Sequence, residues 1–226
     1  MNAVAEAPCS IAVDGGVRVS ALLTAPPEPR AVLVLAHGAG AGMTHPFMAS
    51  VAQGLAARGM ATLRYQFPYM EQGSRRPDAP ALAHATVRAA VDAASQQLPR
   101  VPLFAGGKSF GGRMTSQAQA AAPLPGVRGI VFVGFPLHPA GTPSVKRAAH
   151  LTEVSLPMLF LQGTRDALGD LKLVQEVTGG LGPRATLVVL AHADHAFHVL
   201  ARSGRTNAQV MDELLDAASA WMRERA

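Results

Sequence analysis

Short apolar runs rich in Val, Leu and Ile alternate along the chain with longer Ala-rich stretches. Runs of the first kind suit buried strands and stretches of the second suit helices. Their alternation predicts βαβ units around a mostly parallel sheet, an α/β fold with helices on both faces. The segment 31–36, AVLVLA, is apolar at every position, which predicts a strand covered on both sides. Further strands are expected over 61–65, 101–105, 127–134, 157–161 and 186–190. Helices are expected over 46–58, ended by Gly59, and over 81–98, 110–121, 170–178 and 207–225. Near the start, 11–13 and 17–24 flank Asp14-Gly15-Gly16, the pattern of a hairpin at the sheet's edge. In the last helix Val210, Leu214, Leu215, Ala218 and Trp221 fall near helical spacing and read as its packed face.

Two segments break this rhythm. Residues 66–80 and 135–150 carry three prolines each, so both are predicted to be irregular surface excursions. Long loops in a compact domain are more often functional than not. With 226 residues, 49% hydrophobic and only 15% charged, the chain has material for one domain spanning 1–226, and intrinsic disorder is excluded. Its first ten residues lack the basic and then apolar segments of a secretory leader. No run approaches the roughly 18 apolar residues of a membrane-spanning helix. A cytoplasmic protein without a membrane partner is therefore expected. Cys9 is the sole cysteine, which rules out an internal disulfide and a cysteine-built zinc cage. The net charge of +5 raises nucleic acid as a partner, but the basic residues are scattered and aromatics make up only 5%, so none is expected. No oligomeric state follows from these patterns.

The chemistry concentrates in 101–114, VPLFAGGKSFGGRM, where an apolar strand runs into Gly107-Lys108-Ser109-Phe110-Gly111 and then into a helix. That is G-x-S-x-G in the strand–turn–helix setting of a nucleophile elbow. The turn is so tight that side chains two residues either side of the serine would collide with backbone, hence the glycines. Ser109 is held at the apex, with the free N–H groups of a helix N-terminus behind it. A serine hydroxyl is a weak nucleophile at neutral pH and needs an imidazole base, which needs a carboxylate to fix its tautomer. In this arrangement the acid and then the histidine should follow the serine along the chain.

The late histidines are His192, His195 and His198, on a loop at the carboxyl edge of the expected sheet. The mid-loop position of His195 ranks it modestly above the other two. Elimination favours Asp166 as the acid, since the strand 157–161 runs directly toward it. Asp170 is the runner-up, with a plainer role as a helix cap. Asp194 adjoins His195, and neighbouring side chains on extended chain diverge. Oxyanion donors are expected from the N–H of Phe110 and from the loop His37-Gly38-Ala39-Gly40-Ala41-Gly42, with Ala39 assigned and Gly40 as the alternative. His37 itself reads as a loop-packing residue. The spacing of the three late histidines suits no simple metal site, and Gly106-Gly107-Lys108-Ser109 lacks the earlier glycine of a phosphate loop. Arg64, Arg75 and Arg76 could draw an acidic substrate, although solvated or structurally paired arginines are the plainer reading.

The segments HGAGAGMTHPFM, TLRYQFPYMEQGSRRPDAP, GGKSFGGRM, LQGTRD and HADHAFHV, in this order, resemble the bacterial α/β-hydrolases related to the dienelactone hydrolases. Eukaryotic relatives of that group include a testis-expressed protein and a subunit of a histone-acetyltransferase complex. The resemblance spans about 31–221. It implies an α/β-hydrolase fold and a Ser109, Asp166, His195 triad, and it favours His195 because the group's base sits in a D-H-x-F setting, here Asp194 to Phe197. One departure matters: true dienelactone hydrolases use cysteine at the elbow, so their lactone specificity does not carry over to Ser109.

The expectation is a serine hydrolase acting on an ester or other acyl bond of a small molecule, with no cofactor and no metal. Phe67, Tyr69, Met70 and Phe135, from the two excursions, are the expected walls of the acyl site. At 226 residues there is little room for an inserted cap domain, so an open site is expected. A non-catalytic interaction scaffold of the same fold, or an acyltransferase using the same triad, is the alternative.

Overall fold

The computed structural model describes residues 4–226. Eight strands form one sheet: β1 (Ala5–Val13), β2 (Val17–Ala25), β3 (Ala31–Ala36), β4 (Met60–Tyr65), β5 (Leu103–Lys108), β6 (Val127–Val133), β7 (Met158–Gly163) and β8 (Ala185–Leu190). They lie in the order β1-β2-β4-β3-β5-β6-β7-β8. The pairs β1–β2 and β2–β4 are antiparallel, and β4 through β8 are parallel. The helices are α1 (Pro46–Ala57), α2 (Pro68–Glu71), α3 (Pro80–Gln97), α4 (Phe110–Ala121), α5 (Leu171–Leu181) and α6 (Asn207–Arg223). This is the α/β architecture that the alternating pattern predicts, with no cap domain among the described residues.

Strand periodicity divides the core between the two faces. Val32, Val34 and Ala36 of β3 pack with Val87 of α3 and Met114 of α4, whereas Leu33 and Leu35 pack with Leu55 of α1 and Leu214 of α6. Successive side chains of a strand point to opposite faces, so a strand buried twice must be apolar throughout. All five apolar positions expected to face the core from α6 are buried. A capping box at Thr206 and Gln209 starts that helix.

Three elements differ from expectation. β1 extends back to Ala5, although 5–10 show no clean alternation. It is an edge strand whose register is set by its hairpin with β2, and Pro8 is tolerated there because an edge needs fewer donors. β5 runs on through Gly106 and Gly107 to Lys108, where the glycines had suggested that the turn begins. A Cβ on Gly107 would stand 2.4 Å from the Ala36 carbonyl oxygen, so its role is close strand packing. Finally, both irregular segments contain helical turns: α2, and a 3₁₀ stretch over Lys146–Glu153. The Glu71 carboxylate ties α2 to the sheet by accepting from the Ser20 N–H and hydroxyl, a long-range pairing that local composition does not encode.

Candidate active site

The loops after β5, β7 and β8 meet at the carboxyl edge of the sheet and carry Ser109, Asp166 and His195. Ser109 sits between β5 and α4 with φ 50° and ψ −114°, a backbone conformation that non-glycine residues rarely adopt. Such strain costs about 1–3 kcal/mol and persists only where the surroundings enforce it. Here the Ser109 N–H is held by the Val133 carbonyl at 3.2 Å, and α4 packs too close for a side chain at position 111. A Cβ on Gly111 would lie 2.5 Å from the His37 oxygen.

Ser109 Oγ lies 2.9 Å from His195 Nε2, and His195 Nδ1 lies 2.7 Å from Asp166 Oδ2. The Asp166 side chain is 1% exposed, so its charge must be satisfied within the protein. Gln162 Nε2 donates to Oδ2 at 2.7 Å and the Leu168 N–H donates to Oδ1 at 2.8 Å. With Asp166 accepting, the imidazole proton belongs on Nδ1, leaving the Nε2 lone pair to face the serine hydroxyl. An imidazole so placed can take that proton, and a buried carboxylate beside it can steady the resulting charge.

The other candidates stand outside this hydrogen-bonded chain. His192 is exposed, with φ 64°. His198 is exposed on a cavity wall. Asp170 caps α5 by accepting from the Lys172 and Leu173 N–H groups. Asp194 accepts from the Ala196 and His198 N–H groups and so shapes the loop that carries His195. His37 is fully buried: Nδ1 donates to the Gly38 oxygen at 2.8 Å and Nε2 accepts from the Phe67 N–H at 3.0 Å. Burial pulls its pKa below the ordinary histidine value, in keeping with a neutral ring that braces the glycine-rich loop.

Two cavities meet at Ser109, Ala39 and Leu168. One, of about 300 Å³, is lined by Phe47, Met48, Lys108, His195 and Ala196 among others. The second, of about 450 Å³, is lined by Phe110, Arg113, Met114, Pro136 and Arg147 together with Asp78. Phe110 is the first residue of α4, where a backbone N–H has no partner within the helix.

The expected acyl-site walls require a correction. Among the described residues, Phe67, Tyr69, Met70 and Phe135 line neither cavity. Phe67 is buried edge-on against Phe110 at 5.4 Å, Tyr69 packs beside it, and Met70 is half-buried against the core. Phe135 lies among Phe132 and Phe160. Burying an aromatic side chain stabilises a fold by about 1.5–3 kcal/mol, so apolar residues that leave a strand end turn inward rather than line an open cleft. Arg64 is also interior, ion-paired to Glu6 and donating to the Met43 oxygen at 3.1 Å. Arg75 and Arg76 are exposed and line neither cavity.

Sequence reasoning did not single out Gln162, Phe47, Arg113 or Arg147. A lone glutamine ending the apolar strand MLFLQG was a usable signal for the first. Lys108, noted only for its place in the elbow, donates from Nζ to the His195 carbonyl at 2.6 Å. It also lies 5.3 Å from the Phe197 ring and 5.9 Å from that of Phe47. Burial pulls its pKa down to about 8, against the opposing pull of Asp166 and Asp194.

This strand order, with a serine, an imidazole and a carboxylate joined at its carboxyl edge, defines the α/β-hydrolase class. The chain belongs to the family described as an alpha/beta hydrolase domain, which matches residues 29–223. It is similar to a dienelactone hydrolase from Anabaena variabilis, with a TM-score of 0.77, 22% identity and 98% of each chain covered. A second similar structure is an alpha-beta serine hydrolase homologue from Coxiella burnetii, with a TM-score of 0.76, 19% identity, and 93% of this chain and 96% of that one covered. A third is the esterase domain of a Rhodothermus marinus protein, with a TM-score of 0.71, 18% identity, and 97% and 98% covered. Among the described residues no helix is long and apolar enough to cross a membrane.

Proposed function

We propose that the protein is a serine hydrolase that cleaves an ester or related acyl bond of a small molecule through an acyl-enzyme. The observation that carries this reading is the unbroken hydrogen-bonded chain from Ser109 Oγ through His195 to Asp166, at 2.9 and 2.7 Å. Ser109 Oγ attacks the carbonyl carbon as its proton passes to His195 Nε2. Asp166 keeps the ring oriented and stabilises the imidazolium. The N–H groups of Phe110 and Ala39 hold the oxyanion of the tetrahedral intermediate. His195 then gives the proton to the leaving oxygen as the carbon–oxygen bond breaks. Water, deprotonated by the same ring, repeats the sequence and frees the acid. The site uses no metal or cofactor in these steps.

Labelling with an alkyl fluorophosphonate tests the nucleophile. The expected result is one adduct on Ser109 in folded protein, and an unmodified Ser109 would overturn the reading. A panel of short- and medium-chain acyl esters and thioesters, run on wild type and Ser109→Ala, tests the reaction, and turnover by the variant would place the chemistry elsewhere. Added alcohols or amines distinguish transfer from hydrolysis, because an acyltransferase would divert product to the acceptor.

A further inference from the structure

The cavity on the α4 side of Ser109 holds two cations that the fold leaves without counterions. Arg113 follows Ser109 by four residues in the first turn of α4, its N–H donating to the Ser109 oxygen at 3.1 Å, and both line this cavity. Arg147 reaches the same cavity from the 3₁₀ stretch over Lys146–Glu153. Among the described residues neither guanidinium forms an ion pair. Arg147 makes one long contact with the Pro136 oxygen at 3.5 Å, and Arg113 Nε is buried without any partner. Other arginines show that the chain readily pairs this group: Arg58 with Asp212 and Asp216, Arg64 with Glu6, Arg205 with Glu213.

The remaining ionisable groups nearby do not neutralise the two arginines. Asp78 lines the same cavity but forms no ion pair with either guanidinium, and its Oδ2 accepts from the Tyr69 N–H at 3.2 Å. Burial and then the neighbouring positive charges of Arg113 and His84 hold His150 down to about 4, so it is neutral near pH 7. Burial foremost, and then Arg147, also lowers Arg113 from its ordinary value. A pair of like charges with an unsatisfied buried donor is costly in the empty protein and is relieved by an anion.

The two cavities also differ in which arm of an ester each can take. The leaving oxygen must receive its proton from His195, and His195 lines the apolar cavity with Phe47 and Met48. The alcohol arm therefore belongs there, and the acyl arm extends along α4 toward the arginines. Building on the hydrolase reading, we propose that Arg113 and Arg147 form an anion subsite for the acyl arm, making half-esters of short dicarboxylic acids with apolar alcohols the preferred substrates. Attack by Ser109 Oγ on the ester carbon forms the acyl–serine bond and expels the alcohol with the proton carried by His195. Water then releases the dicarboxylate, the distal carboxylate staying paired with the guanidiniums throughout.

The test compares monobenzyl succinate, glutarate and adipate with the benzyl esters in which the distal carboxylate is replaced by a neutral carboxamide. Wild type is expected to favour the acid over the amide in kcat/KM by about tenfold or more for at least one spacer length, as for a charge-assisted bidentate contact. In Arg147→Gln and in Arg113→Gln that ratio should fall to within about threefold of unity, with Arg113→Lys keeping part of it. Should Arg113→Gln fail to fold, Arg147→Gln carries the comparison, and in wild type the ratio should also shrink as salt is raised. An acid-to-amide ratio near one in wild type, or a ratio unchanged in Arg147→Gln, would overturn the subsite. So would a labelled Ser109 that cleaves none of these esters, leaving the hydrolase reading in place. No cleavage together with an unlabelled Ser109 would overturn both.

Discussion

Lys108 and Arg113 stand on opposite sides of the same serine and carry the same charge, yet the fold treats them differently. Lys108 donates from Nζ to the His195 carbonyl and lays its charge against two aromatic rings. Arg113 also lies over an aromatic ring, that of Phe110 at 6.0 Å, but it has a buried Nε–H with no partner and a second guanidinium for a neighbour. The lesson is that charge beside Ser109 has meaning only through its partners. A satisfied cation holds a loop in place, and an unsatisfied one is available to a ligand.

Removing the centre between these two sides should have the largest effect. Ser109→Ala is expected to lower kcat for every ester by about 10³-fold or more, with the acid and amide forms equally affected. Next, Asp166→Asn should lower kcat by about 10³- to 10⁴-fold while circular dichroism stays native, because the amide would favour the wrong imidazole tautomer. Lys108→Met separates the two sides. It should lower kcat about ten- to a hundredfold through a misplaced His195, with a far smaller change in KM and no change in the acid-to-amide ratio. A lost ratio in Lys108→Met would mean that the lysine, too, reads substrate charge.

The smallest effect lies on stability at the arginine side. The folded-state pKa of His150 is lowered from 6.5 to about 4. Between those values the unfolded chain binds the proton and the folded protein does not, so stability is highest above the unfolded value and declines as pH falls toward 4. Allowing for its partial exposure, the loss from this residue is about 1–2 kcal/mol. His150→Gln, which can still reach Ser116, should reduce the loss of unfolding free energy between pH 6.5 and 4, read from urea denaturation, by that amount. His37 and His84, also lowered chiefly by burial, leave a shallower slope in both proteins.

What could be read from the sequence follows from how local its causes are. Doubly buried strands such as β3 must be apolar at every position, and the elbow needs its glycines within two residues of Ser109, so both leave a mark in a short window. The pairing of Asp166 with His195 joins residues 29 apart; chain order, loop position and the D-H-x-F setting around His195 pointed to the two residues, but no local pattern encodes their pairing. The cavity walls were least legible. Phe67 and Phe135 sit in loop-like sequence but are drawn inward by burial, while Phe47 and Met48 come from a helix that reads as ordinary packing. Arg113 follows the elbow inside a helical stretch, and only its three-dimensional setting, a cavity shared with Ser109 and Arg147 and no ion pair among the described residues, marks it out.

Gln162 touches both the Asp166 carboxylate, through Nε2, and the Phe135 N–H, through Oε1. A single carboxamide thus clasps the Asp166 carboxylate to the first residue of the stretch that leads on to Arg147. Remodelling that stretch to admit a longer chain would tug on the carboxylate that holds the His195 ring. Whoever tries to retune selectivity here should expect turnover to shift with it, unless position 162 is redesigned at the same time.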